Sequence, residues 1–163
     1  MLFIVMLGGK HPAAKIEVHD VVFAFGQQLS DCYDQLRQQW FGAAKGLHID
    51  SWWQVQGVDG YQLHFSDVAP KAGEPRLYFI NLGGYLPGSF GEDHQYLLVV
   101  AHDPVEAKQL GKQRMPQQWD KPHTDNLYDV DDCIAIDAVE GRFVHLVPGA
   151  YAEAQQGNDY ILL

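Results

Sequence analysis

The chain carries one pattern twice, and that constrains its folding more than any other feature. Displaced by 75 positions, Leu7-Gly8-Gly9 falls on Leu82-Gly83-Gly84, Pro12 on Pro87, Glu17 on Glu92 and His19 on His94. The match returns with His48 on His123, Asp50 on Asp125 and Val55 on Val130. If six extra residues are placed at 133–138, it continues with Val58 on Val139, Gly60 on Gly141 and His64 on His145. A shared offset over so long a span implies internal duplication, and each half must then bury an equivalent set of apolar residues.

The apolar run at residues 2–7 predicts a central strand buried on both faces, ended by Gly8-Gly9. Residues 18–25, rich in Val and Phe, predict a second strand. Leu29, Tyr33, Leu36 and Trp40 recur at helical spacing, with Ser30 or a neighbour as cap. Residues 51–58 and 61–66 predict a hairpin turning at Asp59-Gly60, because such a turn needs positive φ. The second half repeats this order. Asp103-Pro104-Val105-Glu106 reads as a capped helix start, and Glu140-Gly141 as the second hairpin turn. The expected fold is therefore α+β, with two ββαββ repeats related by a pseudo-twofold axis. The sheets are mainly antiparallel and each repeat has one helix covering its sheet. The boundaries are residues 1–68 for the first repeat, 69–76 for a Pro/Gly-bearing linker, 77–147 for the second repeat and 148–163 for a C-terminal tail. The two repeats are expected to form one compact unit, and residues 160–163 to dock as an edge strand.

Composition excludes some function classes. The net charge is −10 and the basic residues are scattered, which argues against nucleic acid as a partner. No apolar segment is long enough to span a membrane, and no export signal precedes the first strand, so the cytoplasm is expected. Cys32 and Cys133 are not equivalent and form no CxxC pair, as expected of free thiols. Strand edges left unpaired would favour a homodimer.

The polar residues kept twice, apart from Gln38 and Gln113 on the helices, are the candidate site. They are Glu17, His19, His48, Asp50 and His64 in the first half, and Glu92, His94, His123, Asp125 and His145 in the second. Glu17-x-His19 and His48-x-Asp50 place a carboxylate and an imidazole on one face of a strand. A carboxylate beside an imidazole orients the ring and raises its basicity, which suits a metal ligand or a general base. The same pairs also satisfy buried hydrogen bonds in a purely structural role. No catalytic residue is singled out and no cofactor is identified. Asp125, Asp129, Asp131 and Asp132 read as a solvated acidic stretch without the order of a calcium loop. Trp52 and Trp53 put one indole on each face of a strand.

The motif LGG…P…E-x-H in both halves, LYFINLGGY at residues 77–85 and HIDSWW at residues 48–53 resemble an uncharacterised bacterial family, Domain of Unknown Function 1543. Its members carry one or two copies of such a module. The resemblance implies no activity, and it leaves a small binding or interaction protein as the expectation. A fainter resemblance joins residues 94–107, HQYLLVVAHDPVEA, to the start of a vicinal oxygen chelate (glyoxalase-like) module. That alternative implies a metal-dependent enzyme with a divalent ion held by the duplicated histidine–carboxylate pairs. It leaves residues 2–7 without a place and supplies no glutamate ligand on the last strand.

Overall fold

The structure is a computed structural model and describes residues 1–117, 119 and 130–163. Strand β1 (Leu2–Gly9) runs between β2 (Val18–Phe25) and β3 (His48–Val55), antiparallel to both. Its unbroken apolar run is explained by burial on two sides. Phe3, Val5 and Leu7 enter one core, while Leu2 and Ile4 enter another. With a side-chain period of two, only a strand sandwiched between layers tolerates such a run. A 3-10 turn (Leu29–Cys32) leads into helix α1 (Tyr33–Gln39), which buries Leu36 on the outer face of this sheet. The helix is shorter than its apolar stripe predicts. Gln28 and Asp31 cap the preceding turn, and the chain turns extended at Trp40.

After β3 come β4 (Gly57–Val58) and β5 (Tyr61–Ser66). The second half contains β6 (Arg76–Gly84), β7 (Asp93–Ala101), helix α2 (Pro104–Gln113), β8 (Val130–Ala135), β9 (Ala138–Val139) and β10 (Arg142–Pro148). The tail adds β11 (Gln155–Gly157) and β12 (Ile161–Leu162). β6 lies between β7 and β8 and divides its side chains as β1 does. Tyr78, Ile80 and Leu82 pack toward α2, and Leu77 and Phe79 face the core shared with β1.

This arrangement corrects the expected fold class. Strand makes up 46% of the described residues and helix 14%, so the protein is mostly antiparallel β there, and two clear ββαββ units with one helix each are not what forms. The hairpins do not return to their own sheets. β5 pairs with β10 to give a third sheet in the order β4-β5-β10-β9, with His64 directly opposite His145. In the first half the reason is a filled edge, since the outer side of β3 is occupied by β11 and β12. Both hairpin turns take the positive φ that a two-residue turn needs, 52° at Asp59 and Glu140 and 86° and 74° at Gly60 and Gly141. Trp52 packs against the outer core and Trp53 against the shared one.

Two outcomes follow from these local features. The Asp103 carboxylate accepts from the backbone N–H groups of Val105 and Glu106 at 2.8 and 2.9 Å. Glu106 reaches the N–H of His102, one residue beyond the expected box partner. Asp103→Ala should cost about 1 kcal/mol in urea unfolding, with the m-value unchanged. Cys32 is fully buried, and that burial, with Asp31 nearby, pushes its thiol up to about 11. Only the thiolate reacts, and at pH 8 it is scarce below so high a value. Ellman's reagent at pH 8 should therefore modify Cys32 only after denaturation.

Candidate functional site

The site is built across three strands over a missing side chain. Gly8 on β1 sits opposite His19 on β2 and opposite His48 on β3. These three positions form one row across the sheet, and the central one is empty. A Cβ on Gly8 would come within 2.5 Å of His48 Nε2 and would also strike the Asp50 carboxylate. The glycine is thus required by close approach of side chains, since no turn is made here.

Asp50 reaches this space through a bulge. The register moves from Met6 opposite Ser51 to Leu7 opposite Ile49, which leaves Asp50 as the extra residue of β3. Bulges re-aim a side chain and are common beside functional sites. Glu17 precedes β2 and enters from the open side. Glu17, His48 and Asp50 bring one donor atom each within 4.8 Å of one another. His48 Nε2 lies 3.4 Å from Glu17 Oε1 and 3.3 Å from Asp50 Oδ1. His19 Nε2 lies 3.5 Å from Glu17 Oε1 and 3.1 Å from Asp50 Oδ2.

His48 differs from the other three residues. It is 1% exposed, the one polar or charged residue fully buried among those described. Its Nδ1 donates to the Gly46 carbonyl at 2.9 Å, which fixes the hydrogen on that nitrogen. Nε2 makes no hydrogen bond, and neither does Asp50 Oδ2 beside it. A buried imidazole nitrogen with no partner, facing two carboxylates, needs a reason.

The second half gathers Glu92, His94 and Asp131 over Gly83. Gly83 pairs with His94 as Gly8 pairs with His19. The register again slips by one residue, from Asn81 opposite Asp132 to Leu82 opposite Val130, and Asp131 is the bulged residue. Ile49 and Val130 are therefore equivalent, at an offset of 81 from 49 to 130. The six extra residues precede β8, whereas the sequence comparison put them at 133–138. Asp131 stands where the 75-residue offset put Asp125, while His123 and Asp125 lie outside the described residues. This second set is exposed. His94 Nδ1 is 3.4 Å from Asp131 and 3.1 Å from the Asn81 side-chain oxygen, and Asn81 in turn donates to Asp132 at 3.0 Å.

His64 and His145 belong to the third sheet, where one nitrogen of each approaches an oxygen of Gln62 and of Val68. They join neither cluster. The second glycine of each LGG has its own occupant, which the sequence comparison missed. The Trp40 indole lies over Gly9 and the Trp119 indole over Gly84. The two tryptophans are 79 positions apart, from 40 to 119, so a fixed offset of 75 did not expose them.

Residues 14–65 match the family described as Domain of Unknown Function (DUF1543). That span holds Glu17, His19, His48 and Asp50. Among solved structures, protein Il1583 from Idiomarina loihiensis is similar at 33% identity. The likeness covers 98% of this chain and 95% of that one, with a TM-score of 0.75. A comparison with curated proteins found no match. Among the described residues, no helix is long and apolar enough to cross a membrane.

Gly8→Ala tests the geometry without touching a polar group. Overpacking of this kind should destabilise the protein by about 1–3 kcal/mol, read by denaturant unfolding. Alanine at Gly46, where a Cβ meets nothing but φ is 84°, serves as a control for strain alone.

Proposed function

We propose that this chain, whose residues 14–65 match the Domain of Unknown Function family DUF1543, a description that assigns no activity, binds a divalent transition metal through Glu17, His48 and Asp50, with His19 as a further donor. One observation carries the reading, the unpartnered Nε2 of the buried His48. Metal-ligating histidines commit one ring nitrogen to a carbonyl or carboxylate and offer the other to the ion. His48 is arranged in that way. The nitrogen–oxygen separations of 3.1–3.5 Å are also close to the ~3.3 Å expected between ligands bonded at about 2.0–2.1 Å around a tetrahedral ion. Imidazole with carboxylate suits zinc, manganese, iron or nickel better than calcium.

Glu17 and His19 are about half exposed, so an ion held there would keep a position open to water. Such a site polarises a bound oxygen or lowers the pKa of bound water, and the reaction class would be Lewis-acid chemistry. The glyoxalase-like alternative calls for ligands from two modules at one centre. Glu17, His48 and Asp50 lie on one sheet and Glu92, His94 and Asp131 on another, which favours a metal site within one module. We also read the second half as a second copy of the module. Matching glycine rows and bulges support this, although the family match spans residues 14–65. The free cysteines favour a reducing compartment such as the cytoplasm.

Isothermal titration of the untagged protein with zinc or manganese tests the proposal. About one equivalent should bind tightly, and more weakly as the pH is lowered, because the ion competes with protons for its ligands. His48→Ala and Asp50→Asn should abolish that binding, and His64→Ala should leave it intact. No bound metal, or binding indifferent to His48→Ala, would remove the proposal.

A further inference from the structure

We infer that the C-terminal strand is part of the metal site, with Tyr160 as a positioning residue for His48, so that metal binding and docking of the tail strengthen one another. The inference rests on the metal reading above. The hydrogen bond from Nδ1 to Gly46 holds one point of the His48 ring and leaves its tilt free. The tilt is set by the faces of the ring. His48 Nε2 lies against the Gly8 backbone, close enough that a Cβ there would collide with it. Tyr160 covers the imidazole, with ring centroids 4.2 Å apart and planes at 30°. Among the described residues this is the only aromatic ring recorded against His48.

Tyr160 is itself 67% exposed, so its place is not explained by its own burial. The residues after it hold it there. Ile161 pairs with Ile49 and Leu162 with His48, and the Leu163 N–H donates to the Leu47 carbonyl at 3.0 Å. Ile161 and Leu163 also pack against the core that contains Leu47 and Ile49. The tail therefore grips β3 on both sides of His48 and lays an aromatic ring over it. A neighbour that orients a ligand without touching the ion commonly changes metal affinity by 10- to 100-fold. Coupling is reciprocal, so the ion must hold the tail down by the factor with which the tail tightens the ion.

Zinc titration and hydrogen exchange on the full chain test this. Tyr160→Ala should weaken zinc binding by about 10- to 100-fold. Tyr160→Phe, which keeps the ring, should bind zinc as the unchanged protein does. Zinc should slow exchange of the Leu163 amide, which donates to the Leu47 carbonyl, and of the Ile161 amide one hydrogen-bonded pair along in the unchanged protein, and much less in Tyr160→Ala. Suppose instead that Tyr160→Ala lowers the melting temperature of the metal-free protein yet binds zinc equally well, with tail exchange indifferent to zinc. The tail would then be structural only, and the inference fails while the metal site stands. If the unchanged protein takes up no zinc, manganese, iron or nickel, the metal reading fails and this inference goes with it.

Discussion

A gap in the middle strand of a sheet organises this protein. β1 is buried on both faces along most of its length, where every position must be filled by an apolar side chain. At Gly8 the filling stops, and polar groups from β2, β3 and the loop before β2 occupy the space. Four ionisable side chains can meet there because the backbone beneath them has no Cβ. Their carboxylates and imidazoles approach within 3.1–3.5 Å at one end of an apolar sheet. Burial of His48 raises the stakes, since an unpaired polar atom out of water costs about 1–3 kcal/mol. That cost is tolerated when a ligand can offset it.

The surrounding fold keeps the gap in register. β1 and β6 each send alternate side chains into an outer core and a shared one, so a slip by one residue would exchange the side chains fitted to the two cores and carry the glycine out of its row with the histidines. The bulge at Asp50 faces the central strand β1, and the bulge at Asp131, on the edge strand β8, faces the central strand β6. Sheet pairing between β5 and β10 ties the two halves together, and an Arg76–Asp137 ion pair spans the start of β6 and the turn before β9. The halves nevertheless differ at their sites. The first contains a buried imidazole covered by the tail, and the described part of the second is exposed throughout.

Much of this was legible in the sequence for local reasons. An apolar run without alternation means two-sided burial, and residues 2–7 behaved accordingly. Positive φ at Asp59, Gly60 and Gly141 accords with residue type, whereas Glu140 takes it as part of the turn. The spacing pointed to Glu17, His19, His48 and Asp50, but Asp50 arrives through a bulge and Glu17 from the loop before β2, which strand periodicity does not predict. The third sheet was not, because pairing of β5 with β10 depends on which strand edges are already occupied, a long-range competition that leaves no local mark. Asp131 was missed for a related reason. In a polar stretch, identities at His123 and Asp125 fixed the alignment, whereas the bulge opposite Asn81 and Leu82 sets the true register. The burial of His48 and its cover by Tyr160 depend on a tail more than 100 residues away, from 48 to 160, and no spacing rule reaches so far.

The protonation pattern of His48 is the centre of this account, and nitrogen-15 NMR of the metal-free protein near neutral pH reads it directly. Long-range proton–nitrogen correlations should find Nδ1 of His48 carrying the hydrogen and Nε2 bare, with the Nε2 resonance moving when zinc is added. Two protonated ring nitrogens, insensitive to zinc, would mean that His48 is an imidazolium ion held between Glu17 and Asp50, and the cluster would then be a structural ion pair.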